Sequence, residues 1–448
     1  MSNRLNQNYL EYCEYLNRVA CSTNVVAISR IKGPLTEAIM RQALVLVQRR
    51  HPCLNYRIMG TSDDMNLEVE GAKIPLRVVR KSHDSQWQDI VLEEANQKID
   101  SSQALLRAVL FCPENETTIS YLITTTHHGI ADLFSNSRLH GDILTYCQKV
   151  VSGESTEVSS LPTLPPMEAL IPASFKGFRG KLGRFLFMSR LVVNQLWYRP
   201  KMLDHNKRDS IESSRAGFVN RKIDKELTQS FINSCKRKEV STNGALCSAM
   251  MFTAAQKIES AAKKKSVSMC CCATVSLRKS LEQIISEEHI AMLSSSLFCY
   301  SVLRPDKTFW ELAKELGQKF QFGLMDAEPL NMLFVPSKKM AKSALKNAND
   351  IKNSIGITVI SGIAKLNIPE SYGNFELEEF HITGAAAAQA ASFCVIAVVF
   401  REKLSLNFFY PEPLFDRETI EYLADNVVAY LKEASKEASK EELILAPV

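Results

Sequence analysis

An α/β fold in two domains is what three features of the sequence predict. The 448 residues exceed the size at which one hydrophobic core usually stops growing, so two domains of about 200 residues each are expected. Short β-like runs alternate with stretches of helical periodicity at both ends of the chain, the pattern of layered α/β domains. Between them, residues 152–171 are rich in serine, proline, glutamate and threonine, which favours an extended linker over a packed element. The expected divisions are an N-terminal unit over residues 1–160, a linker with a basic segment over 161–215, and a C-terminal unit over 216–448.

In the N-terminal unit, residues 24–31 read as a strand and Gly33-Pro34 turns the chain. Leu35, Ile39, Ala43, Leu44 and Val47 then keep helical spacing up to Arg49-Arg50-His51-Pro52, because the residue before a proline is pushed out of the helical region. Strands are expected at 53–58, 74–79 and 104–111, with a helix over 87–99. Pro113-Glu114-Asn115 turns into a further strand over 117–123, where Ile119, Tyr121 and Ile123 alternate with other residues.

In the linker region, Lys176, Arg179, Lys181, Arg184 and Arg190 interleave with Phe175, Phe178, Leu182, Phe185, Leu186, Leu191 and Val192. A basic amphipathic helix of this kind either lies on a membrane surface, holds phosphate groups, or covers the second domain. The C-terminal unit should hold a strand at 217–223 and helices at 225–236 and 244–258. Strands follow at 268–275, 294–302 and 355–361, with a helix from Thr308-Phe309-Trp310 to about Met325. Residues 393–400 and 404–410 form a hairpin across Arg401-Glu402-Lys403, and a last helix starts near Asp416. The charged duplication over 432–441 reads as a solvated tail.

Composition narrows the function classes. Hydrophobic residues at 46% and charged residues at 23% are ordinary for a globular chain with a large core. A net charge of +5 falls well short of a dedicated nucleic-acid binder, so no nucleic-acid partner is expected. The twelve cysteines are scattered without ligand spacing, and Cys270, Cys271 and Cys272 lie in an apparent buried strand. They read as small core residues, and the expected location is cytoplasmic. The polar start of the chain lacks a signal-peptide pattern, and the longest apolar stretch, residues 384–400, is interrupted by Gln389 and Ser392.

The stretch with most chemistry in it is Thr126-His127-His128-Gly129-Ile130-Ala131-Asp132. It follows the strand, and from Ala131 the spacing turns helical through Leu133, Phe134, Ile143, Leu144, Cys147 and Val150, which puts the histidine pair on a strand-to-helix turn. An imidazole takes and returns a proton near neutral pH, and an aspartate a few residues on can fold back to hold it. A packed core histidine is the other reading of the same residues. A metal at His127, His128 and Asp132 is not expected, because neighbours on a turn rarely aim both rings at one ion and His83, His140, His205 and His289 add no ligand spacing. Ser276-Leu277-Arg278-Lys279 matches a Ser-x-x-Lys pattern without its companion motifs. No nucleophile elbow, zinc-helix motif or phosphate-binding glycine loop is present.

In this motif and its order among others, the chain resembles the chloramphenicol-acetyltransferase-like superfamily of acyltransferases. Its members include condensation domains and the alcohol acetyltransferase and phthiocerol dimycocerosyl transferase branch. Gly33-Pro34-Leu35 with Arg50-His51-Pro52-Cys53-Leu54 resembles the family's early helix and its end, and Leu164-Pro165-Pro166 through Pro172 the linker of the alcohol-acylating branch. Val240-Ser241-Thr242-Asn243-Gly244-Ala245, Val275-Ser276-Leu277-Arg278, Thr308-Phe309-Trp310-Glu311 and Val359-Ile360-Ser361-Gly362 continue the order. Leu133 after the aspartate and Gly362 after Ser361 depart from the family's usual residues.

The resemblance implies two similar lobes, each a mixed sheet flanked by helices, with an active-site channel between them. It implies an acyl transfer from acyl-coenzyme A or an acyl-carrier protein to an alcohol, without a cofactor and without an acyl-enzyme. His128 would be the general base, His127 would pack inside the turn, and Asp132 would pair with Arg278 as a bidentate strut. Gly129, Ser361 and Gly362 would line the channel. An amide-forming condensation enzyme and a non-catalytic acyl-carrier-binding module are the alternatives. A monomer is expected, with a peripheral membrane contact left open.

Overall fold

The computed structural model describes residues 7–80, 82–83, 85–113, 119–203, 215–259, 266–335, 338–339, 341–342, 357–384 and 392–436. Outside them lie His205, the turn at Glu114-Asn115, the start of the strand expected from Ile355, the middle of the apolar stretch over 384–400, and the charged tail from 437 onward.

The strands of the first half are β1 (Asn24–Lys32), β2 (Arg57–Gly60), β3 (Met65–Glu68), β4 (Leu76–Arg80), β5 (Leu106–Cys112) and β6 (Ile119–His127). Those of the second are β7 (Arg215–Ile223), β8 (Val267–Ser276), β9 (Ser294–Leu303), β10 (Val359–Lys365), β11 (Ser371–Tyr372), β12 (Phe375–Gly384), β13 (Phe393–Phe400) and β14 (Lys403–Glu412). Two six-stranded sheets result, ordered β11-β12-β1-β6-β5-β4 and β7-β14-β13-β10-β8-β9, besides a β2-β3 ribbon. Both are mixed: β4 runs parallel to β5, and β10 runs parallel to β8 and β13. The longer helices are α1 (Gln7–Val19), α2 (Glu37–Arg50), α3 (Gln86–Asn96), α4 (Leu133–Ser152), α5 (Gly177–Tyr198), α6 (Lys225–Arg237), α7 (Thr242–Glu259), α8 (Phe309–Met325) and α9 (Arg417–Ser435).

Local chemistry explains many of these bounds. Thr36 caps α2, and the chain leaves the helix at His51, one residue before Pro52. Pro52–Asn55 then forms a 3-10 turn where the sequence predicts the start of a strand, so β2 begins only at Arg57. Thr308 and Glu311 close a reciprocal capping box at the start of α8. The β13–β14 hairpin turns through Arg401 and Glu402 with φ of 49° and 60°, the left-handed pair that matches strand twist in a two-residue loop. Gly33, at φ 144°, sits where a Cβ would lie 2.6 Å from the Asn374 carbonyl oxygen, so no larger residue fits that turn.

The sheets do not divide along the chain as the expected boundary at residue 216 has it. β11 and β12 come from the C-terminal part and complete the first sheet, β12 pairing with β1 from Val25↔Gly384 to Lys32↔Glu376. Phe375, Leu377, Phe380 and Ile382 of β12 are all buried, and their period-2 spacing slips by one at Glu378. The register shifts at the same place, between Arg30 and Ile31, and Glu378 pairs with Arg30. β12 also ties the sheets together, through Lys222–Glu379 at 2.6 Å, Arg401–Glu376 at 2.8 Å and His381 Nδ1 with Ser405 Oγ at 2.8 Å. The main cores follow the sheets: one gathers α2, α4 and the first sheet, the other surrounds α7, buried on every side.

Among the described residues none of the twelve cysteines is in a disulfide, and eleven of them are buried. His140 of α4 is fully buried between Ser29 Oγ and Thr124 Oγ1, each 2.7 Å from a ring nitrogen. Burial lowers its pKa to about 3. Below the ordinary histidine value of about 6.5 the unfolded chain takes up a proton that the folded chain refuses. His140's contribution is therefore complete above about pH 6.5 and is lost as pH falls from there toward its folded value. Urea unfolding should show stability dropping by about 2 kcal/mol on this account between pH 7 and pH 5, and a shallower drop in His140→Gln.

Candidate active site

β6 ends on the first residue of the histidine pair. Its last residue, His127, still pairs with Asn24 of β1, and the chain then turns tightly as the Ile130 N–H donates to the His127 carbonyl at 3.0 Å. The Gly129 N–H donates to His127 Nδ1 at 3.1 Å. A Cβ on Gly129 would stand 2.4 Å from a Leu10 methyl and 3.0 Å from both the Leu10 Cα and His127 Nδ1, so the turn tolerates glycine alone.

The two imidazoles face different partners. His127 is fully buried, and because its Nδ1 accepts a hydrogen bond, its neutral form carries the proton on Nε2. Nε2 lies 3.1 Å from Glu14 Oε2, at ion-pair distance but off hydrogen-bond alignment. Burial raises the Glu14 pKa, but the close approach of His127, with hydrogen bonds from Ser101 and Arg18, outweighs it and holds the carboxyl below its ordinary range. His128 is half-buried, with Nδ1 3.3 Å from the Ala131 carbonyl oxygen. A carbonyl only accepts, so Nδ1 carries the proton and Nε2 keeps its lone pair. Desolvation lowers the His128 pKa; the Ala131 carbonyl and Asp132 work against that, and His127 adds to it. The Tyr9 ring meets His128 edge-on at 5.5 Å, with 83° between the planes.

Asp132 does not reach toward the imidazoles. Its Oδ1 accepts from the Ser135 N–H at 2.8 Å and caps α4, and its Oδ2 accepts from the Leu293 N–H at 3.1 Å. Arg278 stands 3.6 Å from Oδ1, so the bidentate strut expected from the sequence is one longer contact. The reason is competition: Arg278 Nη2 donates to Ser135 Oγ at 2.9 Å and Nη1 to the Ser286 carbonyl at 3.2 Å. Ser135 Oγ in turn donates to the Ala291 carbonyl at 2.7 Å and accepts from the Ala291 N–H at 3.0 Å. The start of α4 is thereby clasped to residues 291–293, just before β9 of the second sheet.

The remaining predicted positions separate. Gly129 and Ile130 border an open cleft that His51, Cys53, Pro162 and His289 also line. Ser361 is fully buried in β10, its hydroxyl 2.9 Å from Asn243 Oδ1 and 3.1 Å from Cys247 Sγ, and beside it Gly362 faces Thr274. Among the described residues no hydrogen bond joins Ser361 or Gly362 to the histidine turn. Among the same residues no three His, Cys, Asp or Glu side chains stand close enough to hold a metal ion. The sequence reading missed α1, which brings Leu10, Glu14 and Tyr9 onto the motif; the signal for it is the helical spacing of Leu10, Cys13 and Leu16.

The clasp sets an order of costs. Asp132→Ala removes a cap, leaves the Leu293 N–H unpaired and strands a buried guanidinium, and should cost about 3–5 kcal/mol in urea unfolding. Arg278→Met leaves Asp132 with two backbone donors and should cost only about 1–2 kcal/mol. Equal losses would show that the ion pair, and not the backbone hydrogen bonds, holds the turn.

Comparison with known proteins agrees with this architecture. Residues 212–409 match the family model described as the C-terminus of phthiocerol/phthiodiolone dimycocerosyl transferase. The chain is 29% identical over 212 residues to chondramide synthase cmdD of Chondromyces crocatus, a match spanning 42% of this chain and 5% of that protein's length. Its fold resembles the trichothecene 15-O-acetyltransferase TRI3 of Fusarium sporotrichioides, with a TM-score of 0.74 at 11% identity over 96% of this chain and 95% of that one. It also resembles the first condensation domain of the calcium-dependent antibiotic synthetase, with a TM-score of 0.72 at 12% identity over 99% and 100% of the two chains. At such identities the likeness is one of fold. The family model covers residues 212–409, somewhat under half of the chain, and over nearly its whole length the chain shares the two-lobed fold of an O-acetyltransferase and of a condensation domain.

Proposed function

We propose that the protein transfers an acyl group from a thioester, carried by coenzyme A or an acyl-carrier protein, to an alcohol, with His128 as general base. The observation that carries this reading is the bond from His128 Nδ1 to the Ala131 carbonyl, which leaves Nε2 as the basic nitrogen. Nε2 takes the proton of the acceptor hydroxyl as its oxygen attacks the thioester carbonyl carbon. The tetrahedral intermediate then expels the thiolate, the C–S bond breaks, and the imidazolium returns its proton to sulfur. Ester and thiol leave, and His128 is neutral again. His127 and Asp132 act by holding the turn, and Glu14 by orienting His127. Holding both reactants in line supplies several kcal/mol of the rate enhancement.

The match to a dimycocerosyl transferase model and the fold shared with an O-acetyltransferase favour an alcohol acceptor. An amine acceptor is the second reading, favoured by the partial match to chondramide synthase and the fold shared with a condensation domain. Both use the same base and the same thioester.

Thiol release from acyl-coenzyme A and acyl-carrier donors, tested with alcohols and with amines, checks the reading. Acceptor-dependent release should fall by about a hundredfold or more in His128→Ala, equivalent to about 2.7 kcal/mol of barrier. Because burial lowers the His128 pKa, the base stays unprotonated through neutrality, and the acid limb of the rate profile should lie below the ordinary histidine value of about 6.5. Undiminished release in the variant contradicts His128 as base, and amine-only release moves the protein to the condensation reading. Binding of acyl-carrier protein without turnover by any donor and acceptor points to a binding module.

A further inference from the structure

Helix α5 presents an apolar face to solvent. Phe178, Phe185, Leu186, Val193, Leu196 and Trp197 are 79, 67, 58, 59, 67 and 82% exposed. At 100° per residue these positions fall on one side of the helix, opposite the buried Gly180 and Phe187. The inner side is anchored: Tyr198 stacks on Tyr300, Arg184 lies 4.1 Å from the Phe334 ring, and Arg190 pairs with Asp326 and Glu328. The Asp326 contact ties the end of α8 to α5, and that end adds exposed Phe322, Leu324 and Met325.

Charge identifies the occupant. No aspartate or glutamate lies anywhere in residues 169–203, whereas seven lysines and arginines do. Exposed Lys181 and Arg179 flank the apolar face on opposite sides. Among the described residues no helix is long and apolar enough to cross a membrane. A helix of 22 residues, about 33 Å long, with an apolar face between cations suits the plane of an anionic bilayer surface.

We propose that α5 seats the protein on an anionic lipid surface, its apolar face in the headgroup boundary and its cations against lipid phosphates and carboxylates. Seating is independent of the proposed acyl transfer. An amphipathic helix lying flat at that depth buries aromatic side chains and attracts acidic lipids at once, so binding depends on both.

Vesicle flotation of the full chain tests this, using phosphatidylcholine alone and phosphatidylcholine with about one-third phosphatidylserine. The protein should float with the acidic vesicles and less so at high salt, which screens the lipid charge. The emission of Trp197 should shift to the blue on binding, an assignment checked with Trp197→Phe because the buried Trp87 and the partly buried Trp310 also emit. Phe185→Ser with Trp197→Ser should lower partitioning at least about tenfold while urea unfolding stays unchanged, since both side chains are exposed. His128→Ala protein should float like the parent, which separates a failed reaction from a failed surface. Absence of flotation with acidic vesicles, or equal flotation of the double variant, overturns the proposal. Self-association without vesicles that the double variant abolishes, with no flotation, overturns it in favour of a second copy as the occupant.

Discussion

The Asp132 carboxylate sits almost wholly out of water, between the first turn of α4 and the segment that leads into β9. A buried carboxylate without donors would cost several kcal/mol, so its position is set by where donors converge. Two are backbone N–H groups from distant parts of the chain, Ser135 and Leu293, and the third partner is Arg278. Moving any of the three elements strands a polar group. The turn between β6 and α4 is therefore clamped at both ends, by sheet pairing at His127 and by the cap at Asp132.

Within that clamp the imidazoles have little choice. Gly129 turns its N–H onto His127 Nδ1, and Ala131 turns its carbonyl onto His128 Nδ1. One ring is made an acceptor at Nδ1 and the other a donor, so the neighbouring histidines hold opposite tautomers. His127 spends its remaining nitrogen on the buried Glu14, whereas His128 keeps its own for the proton of the proposed reaction. The role proposed for His128 is in this sense a consequence of backbone geometry, with side chains from α1 completing the enclosure.

Much of this was legible in the residues. The motif, the end of α2 at a proline, the cap of α8 and the β13–β14 hairpin all follow from local rules that tertiary contacts do not override. Strand β12 was not legible, because its bulge at Glu378 breaks the alternation that marks a strand, and its place in the first sheet depends on contacts more than 300 residues apart in sequence. Glu14 escaped notice because an acidic residue three positions after Glu11 reads as part of a solvated helix face, and only the fold buries it against His127. The pairing of Asp132 with Arg278 was anticipated as a bidentate contact; Ser135, whose hydroxyl takes the guanidinium, carries no sequence signal for that role. Ser361 is a buried partner of Asn243 and Cys247, a role that a polar residue in an apolar strand does not announce.

The most direct test of the account is the position of the ring protons, read from long-range proton–nitrogen correlation spectra of the histidines and assigned with His127→Asn and His128→Gln variants. Near neutral pH the account predicts His128 uncharged, with its proton on Nδ1 and a bare Nε2, and His127 with Nδ1 bare. A His128 protonated at Nε2, or charged at neutral pH, would contradict it, because no basic nitrogen would then be available to take the acceptor's proton.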